Sequence, residues 1–319
     1  MEYLDKGSVM QTMREETFEF IGYNGVKLAA VIWQPEGEAE RVLQIAHGMT
    51  EHIGRYRELA EELTAQGTVV AGIDLRGHGK NSGDPQVASF GEDGWNAAIQ
   101  DMQLFFGEIS KRYSGLPYYM LGFSLGSFIL REYLTKYSAG VAGAIIMGTG
   151  YQPGLVIGVM KAIVKGQIKK AGFDRTTPLV RQLSFGTYNQ KFKPNRTESD
   201  WLCSDEARLD KYIADPLCRK DISAGLFWQL LDSMRRTGSQ IAYDGWNREM
   251  PVLLISGAAD PVGNAGKGVQ TVKAKMEQAG MKSVTLHLLD GARHDVLQEA
   301  TSGNAEKARK IIAKWIMEN

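Results

Sequence analysis

Only two cysteines and five histidines occur among 319 residues, and neither sign of charge is in excess. Cys203 and Cys218 are too few for a disulfide framework and read as free thiols of a reducing compartment. The histidines are scattered without metal-ligand spacing, so no metal site is expected. With Lys+Arg and Asp+Glu both at 37, the net charge is zero. Such a chain has no global field to gather polyanions, and no nucleic-acid partner is expected. The longest membrane-like stretch, "GLVIGVMKAIVKG", is too short and too interrupted by lysine to span a bilayer. The opening "MEYLDKGSVMQTMREE" lacks the apolar core of a signal peptide, and the reading places the protein in the cytoplasm. A hydrophobic content of 43% suffices for a substantial core, as one α/β domain with an insertion or as two domains.

What is present is an alternation. "TFEFIGYNGVKLAAVIWQP" is two β-rich runs around an Asn24-Gly25 turn, a predicted hairpin. Next come "RVLQIAHG", a helix from about Arg55 to Gln66, "TVVAGIDLRGHG", a helix from about Trp95 to Tyr113, "YYMLGFS", a helix from about Leu125 to Tyr137, and "AGAIIMGTG". Short apolar strands between amphipathic helices predict a mostly parallel sheet with helices on both faces. From residue 151 to 245 the alternation gives way to a helical segment with "KPNRTESDW" as an internal loop. It resumes with "MPVLLISGAAD", a helix near Gly268 to Ala279, "SVTLHLLDGARHD" and a last helix ending at Trp315. The expected architecture is therefore a core of residues 1–150 and 246–319 with an inserted helical cap over 151–245.

"GFSLGS" places Ser124 between glycines, after an apolar strand and before a helix. That is the setting in which a sharp elbow lifts a hydroxyl above a sheet edge. Gly122 and Gly126 would remove side chains where strand and helix pass closely. A serine that merely caps the helix satisfies the same local pattern, so both readings stand on the motif alone.

A serine hydroxyl attacks only if a base takes its proton and a carboxylate orients that base. In the strand-elbow arrangement the acid and then the histidine follow the serine, each on a loop after a later strand. His47, His52 and His78 precede Ser124, and His287 lies in an alternating strand pattern, which leaves His294. Asp260, in the loop after "VLLIS", is the candidate acid; Asp290, in an Asp-Gly turn, is the fallback. The oxyanion donors would be the amides of Leu125, after the nucleophile, and Met49, in the loop after "IAHG". Without a triad, "HGMTEH" would read as a helix-entry turn with packed histidines.

These motifs together resemble the α/β-hydrolase superfamily, and within it the monoacylglycerol lipase and lysophospholipase group, often described as serine aminopeptidase-like hydrolases. "HGMTEHIGRY", "DLRGHGKNSG" and "GFSLGS" carry the resemblance, with "GAADPV" and "ARHDVLQE" in the matching downstream places. It implies Ser124 as nucleophile, His294 as base, Asp260 as orienter, and the Met49 and Leu125 amides as oxyanion hole. Asp74, Arg76 and His78 would be a structural brace. The group commonly has Gly-Glu-His where this chain has Thr50-Glu51-His52, and His-Ser-Met-Gly-Gly where it has Phe123 through Ser127. These departures alter side chains near the acyl pocket.

The cap stretch from Gly154 to Gly172 is amphipathic, with Lys161, Lys165 and Lys169 recurring every four residues. Val159, Met160 and Ile163, with Phe123 from the elbow, are candidate substrate contacts. In this reading the helix lines an acyl tunnel and its lysines touch anionic lipid, a transient membrane-surface contact; an ordinary packed helix with solvated lysines, a pattern common on soluble proteins, is the alternative. Leu226, Phe227, Trp228 and Leu230 would line a pocket or form a small core of the cap. The expected activity is cofactor-free hydrolysis of carboxylic esters through an acyl-enzyme, on monoacylglycerols or lysophospholipids. Short esters, thioesters and N-terminal peptide bonds are alternatives, and a noncatalytic ligand-binding protein is the rival from another class. Nothing in the sequence sets the oligomeric state.

Overall fold

The computed structural model describes residues 13–218 and 221–319, so most of the opening segment falls outside the described residues. The strands are β1 (Arg14–Ile21), β2 (Lys27–Gln34), β3 (Arg41–Ala46), β4 (Thr68–Ile73), β5 (Val87–Ala88), β6 (Tyr118–Phe123), β7 (Gly143–Met147), β8 (Asp221–Ile222), β9 (Val252–Gly257) and β10 (Val284–Leu289). Eight of them form one sheet in the order β1-β2-β4-β3-β6-β7-β9-β10. The hairpin β1–β2 is antiparallel and β2 joins β4 antiparallel, while every pairing from β4 to β10 is parallel. Asn24 at φ 59° and Gly25 at φ 72° turn the hairpin, as the dipeptide predicts. The residues of β4, β6, β7 and β9 are buried throughout, which is why these strands read as unbroken apolar runs.

The helices are α1 (Arg57–Thr64), α2 (Gly94–Arg112), α3 (Leu125–Tyr137), α4 (Gly154–Ala171), α5 (Pro178–Ser184), α6 (Glu206–Ala214), α7 (Ala224–Thr237), α8 (Lys267–Gln278) and α9 (Asn304–Glu318). Apolar faces of α1 and α9 build one core against one side of the sheet, including Leu59, Leu63, Ile312 and Ile316. On the other side α2, α3 and α8 build a second core, with Phe105, Phe128, Ile129 and Val272. The last helix runs to Glu318, past the expected end at Trp315. Among the described residues no helix is long and apolar enough to cross a membrane.

Between β7 and β9 the chain leaves the alternation for α4, α5, α6 and α7. Among the described residues the insertion shares a core with the sheet domain, since Ile157, Val164, Val180, Leu226, Phe227 and Leu230 belong to the same apolar cluster as α2 and α3. The alternatives of a pocket wall or a small separate core for Leu226, Phe227 and Leu230 both give way to this shared core. Trp228 is half-buried, with the Lys161 ammonium 4.1 Å from its ring centre. The pairing of β5 with β8 and the Gln229 amide donating to the Gly91 and Glu92 carbonyls (2.9 and 2.8 Å) fasten the insertion to the core.

The chain runs outward from β3 to β4 and then crosses back to β6, so the sheet reverses direction between neighbours β3 and β6. The carboxyl ends flanking such a reversal leave a crevice in which ligands bind. Met49 follows β3 and Ser124 follows β6, on either side of it.

Candidate active site

Ser124 follows β6 at the start of α3 with φ 49° and ψ −113°, a region that L-residues enter only under constraint. The constraint is steric closeness. A Cβ on Gly126 would lie 2.0 Å from the Ala46 carbonyl oxygen, and one on Gly122 would lie 2.4 Å from the Gly126 oxygen. The Ser124 amide is held by the Met147 carbonyl at 3.0 Å. Its hydroxyl makes no capping bond to α3; instead Oγ lies 2.8 Å from His294 Nε2. The capping reading of this serine is thereby set aside by where its oxygen points.

His294 and Asp260 come together with Ser124 from loops 34 residues apart in sequence. His294 Nδ1 is 3.0 Å from Asp260 Oδ1, at ion-pair distance but out of line for a directed hydrogen bond. Both side chains are buried. The Val262 amide donates to Asp260 Oδ1 at 2.8 Å and the Ser256 hydroxyl to Oδ2 at 3.1 Å, which fixes the carboxylate. A carboxylate beside Nδ1 favours the tautomer with its proton there, leaving the Nε2 lone pair for the serine. The imidazole packs against two rings, Phe123 at 4.9 Å and Trp201 at 5.1 Å. Asp290, the fallback acid, is exposed in the turn after β10, and His287 sits within β10.

The loop after β3 is held from several sides. His47 Nε2 accepts from the Leu75 amide at 2.8 Å, so its proton sits on Nδ1, which donates to the Gly48 carbonyl at 2.7 Å. Burial, outweighing the nearby carboxylates of Asp74 and Glu51, lowers the pKa of this imidazole and keeps it neutral. Glu51 accepts from the Gly48 amide (2.6 Å), the Tyr56 hydroxyl (2.8 Å) and Arg55 Nε (2.8 Å). Arg55 Nη2 also reaches Asp295, next to His294, at 2.7 Å. Leu125 opens α3 with its side chain in the core, and the first amides of a helix have no acceptor within it. Asp74 accepts from the amides of Ile53 and Lys80, Arg76 pairs with Asp101, and His78 Nδ1 meets the Arg76 carbonyl. This sits beside the site, as a brace would, and none of the three lines the cavity at Ser124.

That cavity is closed down to about 20 Å³ and is walled by Met49, Phe123, Ser124, Trp201 and His294, among others. A larger space of about 680 Å³ lies beyond it under the insertion, and Thr50, Phe185, Trp201, Leu202 and Tyr212 border both. Of the expected substrate contacts, Phe123 is at the site. Val159, Met160 and Ile163 are not: none borders either space, and Val159 and Ile163 face outward, 57% and 38% exposed. The buried line of α4 is Ile157 and Val164 instead. Sequence reading missed the walls supplied by Phe185, Trp201 and Tyr212; a tryptophan closing the polar loop "KPNRTESDW" was the available signal. It also missed Arg55 and Asp295, which stand inside the motifs "HGMTEHIGRY" and "ARHDVLQE".

The profile of the family described as serine aminopeptidase, S33, matches residues 37–301. Human monoglyceride lipase is 26% identical over 280 residues, 88% of this chain and 83% of that protein. Monoacylglycerol lipase of Mycolicibacterium smegmatis is 29% identical over 144 residues, 44% of this chain and 48% of that one. Among solved structures, a thermostable carboxyl esterase from Bacillus coagulans in complex with glycerol superposes with TM-score 0.87 at 25% identity, covering 96% of this chain and 99% of its own. Monoacylglycerol lipase of Paleococcus ferrophilus gives TM-score 0.67 at 21% identity, covering 92% and 99%. The sheet order, the elbow and the span of the family profile agree: the chain has the α/β-hydrolase fold and belongs to the serine aminopeptidase S33 family.

Proposed function

We propose that this protein is a serine hydrolase that cleaves carboxylic esters through an acyl-enzyme, with monoacylglycerols or lysophospholipids as substrates. The observation that carries the reading is the 2.8 Å approach of His294 Nε2 to Oγ of a strained Ser124, with Asp260 3.0 Å behind the imidazole. Ser124 Oγ attacks the ester carbon and passes its proton to His294 Nε2, while Asp260 stabilises the imidazolium. The tetrahedral oxyanion is held by the amides of Met49 and Leu125, the latter at the positive end of α3. Collapse breaks the ester C–O bond, and the leaving alcohol takes the proton from His294. Water then repeats the sequence on the acyl-enzyme and releases the acid.

The two neighbouring spaces support an amphipathic substrate. Phe185, Trp201, Leu202 and Ile213 offer an apolar wall, while Arg181, Arg196 and Glu198 supply charge around it. An N-terminal peptide substrate would need a carboxylate for its ammonium. Glu51 and Asp295, the acids bordering the Ser124 cavity, are already bound to Arg55, which favours esters. The outward apolar face of α4, with Leu155 83% exposed, supports transient contact with a membrane surface.

A fluorophosphonate should modify the protein once, at Ser124, and turnover of p-nitrophenyl esters should fall at least 1000-fold in Ser124→Ala, His294→Ala and Asp260→Asn alike. Double variants should lose little more, since a triad acts as a unit. Labelling that survives Ser124→Ala overturns the reading. Comparing monoacylglycerols, lysophospholipids and aminoacyl amides then sets the substrate class.

A further inference from the structure

We infer that Thr50 and Tyr212 are positioning residues that tie the oxyanion-binding amide of Met49 to the cap, so that this amide is aimed at the reacting carbonyl only while the cap rests on the core. The inference builds on the reading of Met49 as an oxyanion donor.

Thr50 has φ 63°, a left-handed conformation that is a marked outlier for a β-branched residue. Something must hold it. Its Oγ1–H donates to the Met49 carbonyl at 2.6 Å, and with that hydrogen committed the oxygen accepts from the Tyr212 hydroxyl at 2.8 Å. Tyr212 lies in α6, within the insertion. Desolvation pushes its phenol pKa well up, so the hydroxyl remains a donor throughout the working pH range.

Both peptide planes around Met49 are thus restrained, from different bodies. The plane that carries its N–H also contains the Gly48 carbonyl, which the core residue His47 holds at 2.7 Å. The following plane contains the Met49 carbonyl, held by the relay from the cap through Thr50. Tyr212 is itself seated by the Arg55 guanidinium 4.9 Å from its ring centre. Close by, Asp215 accepts from His52 across the same seam at 2.9 Å. Thr50 and Tyr212 border both the serine cavity and the larger space. With the serine cavity at about 20 Å³, an ester has to displace some of its bordering side chains, and the Thr50–Tyr212 contact lies on that border.

The test is steady-state hydrolysis of p-nitrophenyl butyrate by full-length variants, with binding of an alkyl boronic acid, whose adduct on Ser124 mimics the anionic tetrahedral state. Tyr212→Phe and Thr50→Val should each lower kcat about tenfold, a fraction of the loss for a deleted donor. KM should stay within about twofold, and boronate affinity should fall in step with kcat. The double variant should be no worse than either single one, and Thr50→Ser, which keeps the hydroxyl, should stay within about threefold of wild type. In a Thr50→Gly background, where the left-handed turn needs no support, Tyr212→Phe should lose most of its effect. Losses that multiply in the double variant, or a raised KM at unchanged kcat, overturn the tie and make the pair a substrate contact. If Ser124 labels normally and Tyr212→Phe keeps full kcat, only the tie fails; if Ser124 does not label, the serine-hydrolase reading itself fails.

Discussion

Arg55 serves two carboxylates, and the two do not share it equally. Burial alone would push the Glu51 carboxyl up, but Arg55 and the donors from Gly48 and Tyr56 bring it below its ordinary range. Asp295 has fewer such donors; burial raises its pKa to about 6, with Arg55 opposing. The native protein therefore holds the Asp295 proton more tightly than the unfolded chain, where a carboxyl titrates near 3.9. That stabilisation is complete below the unfolded value and is lost as pH rises through about 6. Asp295→Asn cannot ionise, so relative to wild type it should gain about 1–3 kcal/mol between pH 4 and pH 6.5. Urea unfolding at both pH values measures the change; a difference that does not move with pH would mean Asp295 stays ionised in the fold.

Among the elements, α4 shows how a correct periodicity can leave orientation open. Its buried line is Ile157 and Val164, two turns apart, with Met160 half-buried beside them. Lys161 also faces inward, paired with Asp232 of α7 and set over Trp228, so it is not part of a lipid-facing stripe. Val156, Val159 and Ile163 turn out instead, next to Leu155. If this face touches membrane, Leu155→Asp should reduce cosedimentation with phosphatidylserine-containing vesicles about tenfold or more, since burying a leucine is worth about 1.5–3 kcal/mol. Turnover of a water-soluble ester should be unaffected by the same change. Equal vesicle binding by both proteins would remove the membrane contact from the proposed function.

For the whole molecule, Arg131 joins the two places where the chain leaves and re-enters the sheet domain. Its buried guanidinium donates to Thr149 Oγ1 and the Gly150 carbonyl (3.3 Å each) on the way out, and to the Thr237 carbonyl (2.9 Å) and Tyr243 hydroxyl (3.2 Å) on the way back. Arg131→Met would strand buried carbonyls at 150 and 237, and the expected loss is about 2–6 kcal/mol, at about 1–3 for each buried acceptor left unsatisfied. Because the insertion shares its core with α2 and α3, wild type and variant alike should unfold in one transition followed by both circular dichroism and tryptophan fluorescence. Two separated transitions would show that the cap is an independent unit.

The alternation of apolar strands and amphipathic helices, the Asn24-Gly25 hairpin and the meeting of Ser124, Asp260 and His294 were all legible in the sequence. The first two are written in local chemistry: strand burial on both faces leaves unbroken apolar runs, and a left-handed turn selects Asn-Gly; the third rested on glycines at the elbow, on chain order and on the family resemblance, since His294 lies 170 positions from Ser124. The surroundings of these three residues were not legible. Trp201 reaches His294, Tyr212 reaches Thr50 and Arg55 reaches Asp295 across 93, 162 and 240 positions, respectively. No local pattern encodes such pairings, because they depend on how the insertion seats on the sheet. The outward turn of α4 has the same origin: an amphipathic helix with apolar residues on more than one side can bury either, and packing against α7 selected Ile157 and Val164.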